Sequence, residues 1–377
     1  MYYLLNKLSL KGDRTIWAIV FILTIISILV VYSIEGTRPT LIHLRNIIIG
    51  LFCMYFVHKL KFKYFSKLSL VSMFISILLL IFVYFIGREI NGATRWIVLG
   101  GLSFQPSDFS KLVLLIFVSR QISKYREYLH EWKGILWYVL APTSLICFLI
   151  LPSNFSTAAL TFLNVIILMF FAKIHYKFLF GVIIFAFSAS SFIYLAGKHV
   201  PVFQDTIPRS LTWVSRVDSY FSPQNDYDKN QGYQLNEAKI LIYDGKLIGQ
   251  GAGKKNPGNF LYSESSDFVI ASIINQYGSI LGGVILLFLY LLFFYRSIIV
   301  AHNTDSMFGM LMVSSLSCSI LMQAMINISM PFGILPVTGQ TLPLISKGGT
   351  SIIFTCIAIG IILSVSRDSK DRDYEKA

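Results

Sequence analysis

Ten long apolar runs constrain this chain more than any other feature: residues 15–33, 44–58, 68–87, 109–123, 135–151, 155–172, 177–196, 268–295, 307–330 and 349–366. A helix needs about 20 apolar residues to cross a hydrocarbon layer roughly 30 Å thick, a length that soluble cores do not require. Composition agrees, with 55% hydrophobic and 14% charged residues where a soluble domain carries about 25% charged. The chain is therefore expected to be an all-α polytopic membrane protein of about ten transmembrane helices. It would form one membrane domain over 1–377, with a long extracytoplasmic loop, 198–266, between helices 7 and 8. The first run is expected to remain in the mature protein, because Ser33-Ile34-Glu35-Gly36 lacks a small-x-small cleavage pattern.

Lys and Arg set the orientation, since cytoplasmic loops retain positive charge. With the N-terminus inside, cytoplasmic segments hold 18 of the 32 basic residues and the short outer loops hold six. Both termini are thus expected in the cytoplasm. The net charge of +13 is scattered over membrane-flanking loops. That pattern suits anionic lipid headgroups at a bilayer surface and gives no nucleic-acid face. Cys53, Cys147, Cys318 and Cys356 all fall in apolar runs without CxxC spacing, so they are read as packing residues.

No carboxylate lies inside a predicted span, whereas 11 of the 19 acidic residues lie on the outer side. A proton-coupled transporter would place one near the midplane, so chemistry at the outer surface is favoured. Three outer segments are rich in Gly, Pro and polar residues. The first, Asn91 to Lys111, turns twice before the fourth helix, with Ser107 and Asp108 as N-cap types and Lys111 one turn on. In the second, 198–266, Ser210 to Phe221 is weakly amphipathic and suits the membrane surface. Gly245, Gly249, Gly251, Gly253 and Gly258 there mark backbone that bends or approaches something closely. The third, Gly333 to Ser351, holds two prolines and cannot be a regular helix, so it should line a cavity or pack on protein. Asp267 stands directly before the apolar Phe268-Val269-Ile270-Ala271. A partly desolvated carboxylate there can act as a base, or it can cap the eighth helix.

Six pieces carry a resemblance: Asn91-Gly-Ala-x-Arg95-Trp96, Phe104-Gln105-Pro106-Ser107-Asp108-x-x-Lys111, Gln231-Gly-Tyr-Gln234, Gly249-x-Gly251-x-Gly253, Ser266-Asp267-Phe268-x-x-Ala271 and Leu335-Pro336-x-x-Gly339-x-x-Leu342-Pro343-x-x-Ser346-x-Gly348-Gly349-x-Ser351. In this order they resemble the SEDS family of shape, elongation, division and sporulation proteins, the FtsW and RodA group, over about residues 15–366. Gly339-Gln340-Thr341-Leu342-Pro343 looks more like FtsW.

The resemblance implies a peptidoglycan glycosyltransferase that polymerises lipid II into glycan strands at the outer face of a bacterial cytoplasmic membrane, at the septum. It implies Asp267 as general base, with Arg95 and Lys111 on the pyrophosphate. Gln105, Arg216, Gln234, Glu264, Ser346 and Lys347 follow as further substrate-binding positions. No metal ligands and no assured cofactor are implied, a divalent cation (Mg or Mn) being the one candidate. Expected partners are lipid II, a class B penicillin-binding protein, other divisome or elongasome membrane proteins and the bilayer. Lipid II flipping and a noncatalytic scaffold are the alternatives. Glu264 falls one place nearer the aspartate than is common in the family, Lys347 replaces a common aromatic, and Asn275-Gln276 and Ser153-Asn154 stand where acids or Pro-Asp are usual.

Overall fold

The computed structural model describes residues 11–90, 93–99, 102–207, 209–221, 229–253 and 264–376. Asn91, Gly92, Gly100, Gly101, Asp226, Asp228, Gly258, Tyr262 and Ser263 lie outside the described residues. The elements are α1 Arg14–Glu35, α2 Thr37–Lys59, α3 Lys63–Ile86, β1 Arg88–Ile90, β2 Ala93–Leu99, β3 Leu102–Phe104, α4 Pro106–Lys124, α5 Trp132–Ile150, α6 Phe155–Phe171, α7 Tyr176–His199, α8 Pro201–Thr206, α9 Ser210–Phe221, α10 Lys229–Gly245, α11 Val269–Gly278, α12 Ile285–His302, α13 Met307–Ser329 and α14 Thr350–Lys376.

All ten apolar runs lie on helices. Eight helical segments among the described residues are long and apolar enough to cross a membrane, α11 and α12 counting together. The other two runs fall on α6, 17 residues long, and on α4. α4 is less apolar than the other spans because it carries Asp108, Lys111, Arg120 and Gln121, and its Ser107, Ser110 and Ser119 are buried against protein. The run at 44–58 extends back to Thr37 for the same reason: His43 and Asn46 are buried within the bundle.

Helix ends follow ordinary capping chemistry. Asp13 Oδ1 accepts from Thr15 N at 2.9 Å and Ile16 N at 3.1 Å, opening α1, while its Oδ2 pairs with Arg296 Nη2 of α12 at 2.5 Å. The cap of α4 is Gln105 with Pro106 at the first helical position, two and three residues before the Ser107 and Asp108 expected from residue type. Small residues let α2 and α14 approach closely. A Cβ at Gly50 would meet Cys356 Sγ at 2.9 Å, and one at Gly360 would meet Met54 O at 2.8 Å. The cysteines are unpaired, as their placement in apolar runs suggested.

Two features depart from the sequence expectation. An antiparallel sheet, β1-β2-β3, pairs Ile97 with Phe104, so the outer loop is not all-α. Thr94-Arg95-Trp96-Ile97-Val98 is rich in β-formers, and pairing satisfies its backbone. The described residues of 198–266 are largely helical, and Gly245 and Gly249 pack closely against residues 274–278. The span at 268–295 is interrupted at Gly278, whose φ of 83° and ψ of 168° end α11. The turn after α10 takes up the released backbone groups: Gln250 N donates to Asn275 O at 2.8 Å, Gly251 N to Gln276 O at 3.0 Å, and Ser279 N to Lys246 O at 2.9 Å. Gly249, at φ 87°, lies against this junction, where a Cβ would stand 2.4 Å from Gln276 O. Gly249→Ala should lower the melting temperature of the purified protein, with a penalty of at least about 1–2 kcal/mol from the left-handed backbone alone.

Candidate active site

Residues of α2, β2, β3, α4, α6, α9, α13 and α14 surround a cavity of about 1120 Å³ lined by many polar side chains. The residues at 331–349 line one side without regular helix, as the prolines required. Asp267, Arg95, Gln105, Arg216 and Lys347 all face this cavity. The 198–266 segment supplies Arg209, Thr212 and Arg216 to the cavity, the last two from α9, the helix anticipated at Ser210–Phe221.

Asp267 does not cap α11. Phe268 is the N-cap residue and no side chain caps that end, which leaves the carboxylate to the cavity. Burial pushes its pKa upward, opposed by the Arg216 guanidinium, a hydrogen bond from Ser266 and the Arg95 guanidinium. Gly339, at φ 66°, brings the opposite wall so close that a Cβ there would lie 3.7 Å from Asp267 Oδ2.

Arg95 and Arg209 are held by one carbonyl. Arg95 Nε donates to Ser153 O at 2.7 Å and Arg209 Nη1 to the same oxygen at 2.5 Å. Burial lowers the Arg95 pKa to about 9, with Arg209 and Arg216 adding repulsion and Asp267 opposing it. Burial and then Arg216 lower that of Arg209. Three guanidiniums held at such mutual cost form a site poised for an anion. Arg209 was missed in the sequence, where it is one of eight basic residues in a long segment with no motif around it.

Other anticipated residues serve different ends. Lys111 does not line this cavity: its Nζ donates to Gln323 Oε1 at 2.7 Å, in a pocket of about 30 Å³ behind the cavity wall, beside Asp108. Ser346 is buried, its Oγ accepting from Leu342 N at 2.8 Å and donating to Ser266 O at 2.5 Å, which makes it a latch for the Asp267 turn. Lys347 pairs with Glu35, which also accepts from Ser265 Oγ. Glu264 Oε1 accepts from Ser272 Oγ at 2.8 Å in the first turn of α11. Gln234 lies on α10, apart from the residues that line the cavity.

The amides at positions where acids are usual have structural partners. Asn275 Nδ2 donates to Leu241 O at 3.0 Å, Gln276 Oε1 accepts from Ser33 Oγ at 2.6 Å, and Asn154 caps α6. Gln323, Asn327 and Gln340 were also missed; they carry hydrogen bonds between segments distant in sequence, which no local pattern reveals.

Residues 13–371 match the family model FtsW/RodA/SpoVE, described as cell cycle protein. The chain is 28% identical to a probable peptidoglycan glycosyltransferase FtsW of Wigglesworthia glossinidia brevipalpis, over 96% of this chain and 95% of that protein. It is 30% identical to a probable peptidoglycan glycosyltransferase FtsW of Taylorella equigenitalis, over 86% of each chain. A solved chain described under "Structural coordination of polymerization and crosslinking by a peptidoglycan synthase complex" superposes with a TM-score of 0.78 at 24% identity, over 95% of this chain and 98% of that one.

Proposed function

The chain belongs to the FtsW, RodA and SpoVE family of cell cycle proteins, and from that premise we propose that this integral membrane protein, a peptidoglycan glycosyltransferase, polymerises lipid II at the outer face of the cytoplasmic membrane. The observation that carries the reading is a half-buried carboxylate, Asp267, sharing a cavity with Arg95, Arg209 and Arg216. The acceptor sugar's 4-hydroxyl attacks the anomeric carbon of the lipid-linked donor, the bond to undecaprenyl pyrophosphate breaks, and Asp267 takes the hydroxyl proton. The arginines stabilise charge on the departing pyrophosphate, where guanidinium forks match phosphate oxygens. Lys347, neutralised by Glu35, shapes the wall near the same turn.

The cavity's lining carboxylates are Asp108 and Asp267, and Asp108 is engaged with Lys111 and Ser351. That donor set suits an anion better than a dedicated metal cage, so a divalent cation would arrive bound to the pyrophosphate. Both termini are assigned to the cytoplasm and the protein to the septum, in company with a class B penicillin-binding protein. The charge distribution over the loops supports the orientation.

Reconstitution with lipid II and a class B partner tests the reading: lengthening glycan supports it, and movement of lipid between leaflets without polymer overturns it. The acid limb of the rate should lie above the range of an ordinary aspartate, about 4. Burial raises the Asp267 pKa, so the proton stays on to higher pH and the base is lost as pH falls through that raised value. A pH profile of polymerisation, flat down to pH 4, would contradict this.

A further inference from the structure

Three consecutive carbonyls of the Asp267 turn are held from different directions. Ser265 O accepts from Lys347 N at 2.9 Å, Ser266 O from Ser346 Oγ at 2.5 Å, and Asp267 O from Asn327 Nδ2 at 2.9 Å. The first two donors belong to the irregular segment before α14. The third stands on α13, whose side chains are buried for most of its length.

Asn327 is fully buried at 0% exposure. An amide nitrogen has two hydrogens, and here both are used: one goes to Asp267 O, the other to Gln340 O at 2.7 Å. Both acceptors belong to residues that line the cavity, on opposite sides of the gap that Gly339 closes against the Asp267 carboxylate. Gln340 extends the bridge, its Nε2 donating to Thr157 Oγ1 on α6 at 2.9 Å. Asn327 Oδ1 meets no partner among the described residues, a state that costs about 1–3 kcal/mol for a buried acceptor. An apolar residue would avoid that cost, so the two donated bonds are what the asparagine provides at this position. One turn earlier on the same face, Gln323 Nε2 donates to Thr341 O at 2.9 Å, joining the same irregular segment to α13.

We propose that Asn327 is a positioning residue for the reaction: its amide locks the Asp267 turn and the irregular segment at Gln340 together, so that the carboxylate meets the acceptor hydroxyl at a fixed place. The inference rests on the assignment of Asp267 as base. Misplacement of a reacting group by about 1 Å lowers a rate by about 10²-fold, because the encounter geometry is no longer prepaid. A buried amide on a rigid transmembrane helix prevents such drift. Lipid II binding does not depend on it, because Asn327 lies behind the wall and is absent from the cavity lining.

Steady-state polymerisation of lipid II by the full chain with its class B partner tests this, using Asn327→Leu, which keeps the volume, Asn327→Asp, which keeps the shape, and Asp267→Asn in parallel. Each Asn327 variant removes donors from two carbonyls and should melt below the unmodified protein, but the mark of positioning is kcat per folded molecule, down at least about 10-fold with KM within about threefold. A purely packing role would change the melting temperature and leave kcat per folded molecule alone. Unchanged kcat in both variants, with Asp267→Asn inactive, overturns the inference. So does a raised KM at unchanged kcat. Full activity of Asp267→Asn would instead overturn the base assignment. Should Asn327→Leu fail to fold, Asn327→Asp decides the matter alone by the same criteria.

Discussion

Asp267→Asn should remain folded and membrane-inserted and should lose glycan polymerisation by at least about 10²-fold, the lower end of what a positioned general base contributes. Retention of the fold follows from the local geometry. The Asp267 side chain caps no helix, since Phe268 occupies the N-cap of α11, and the bonds that fix the turn run through backbone carbonyls that asparagine keeps. Asparagine has nearly the same shape but cannot accept the hydroxyl proton. Asp267→Glu should also be impaired, because one methylene displaces the carboxylate in a cavity where the Gly339 backbone already lies against it. Glu264→Gln is the internal control. Its carboxylate accepts from Ser272 Oγ at the start of α11, so the substitution should affect stability more than turnover. Polymerisation by Asp267→Asn at the unmodified rate, measured on reconstituted protein, would remove the base from this residue.

Lys111→Met should abolish activity by a different route, through loss of stability. Lys111 reaches Gln323 behind the cavity wall and faces the Asp108 carboxylate, with Gln323 passing the link to Thr341 O at 2.9 Å. Removing Lys111 leaves the Asp108 carboxylate without the opposing charge it faces, whereas removing both charges is much less harmful. Lys111→Met should therefore melt well below the unmodified protein, and Lys111→Met/Asp108→Asn should recover much of the difference. Arg95→Ala provides the contrast: it lines the cavity, so it should reduce turnover with little change in melting. The resemblance alone placed Lys111 on the pyrophosphate. If Lys111→Met melts normally and the pair shows no coupling in a double-mutant cycle, the indirect role is wrong.

The sequence by itself determined the membrane architecture. Runs such as 68–87 and 177–196 fix helix positions because a bilayer admits only segments whose backbone bonds are satisfied internally, so length and hydropathy suffice. Asp267 was legible for a similar reason: a carboxylate beside an apolar run is conspicuous. Polar residues buried against protein were less so, which is why α2 begins seven residues and α4 three residues before their apolar runs. What tertiary structure decided was the division of labour among residues of the same type. Arg209 joins Arg95 because both reach Ser153 O across a gap of more than fifty residues in sequence. Lys111 and Ser346 face inward while Lys347 lines the cavity. Gly249 fits against the break at Gly278 instead of loosening a loop. Hydropathy is a property of each residue summed along the chain, but a hydrogen bond or charge pair depends on where two distant segments meet, and packing alone sets that distance.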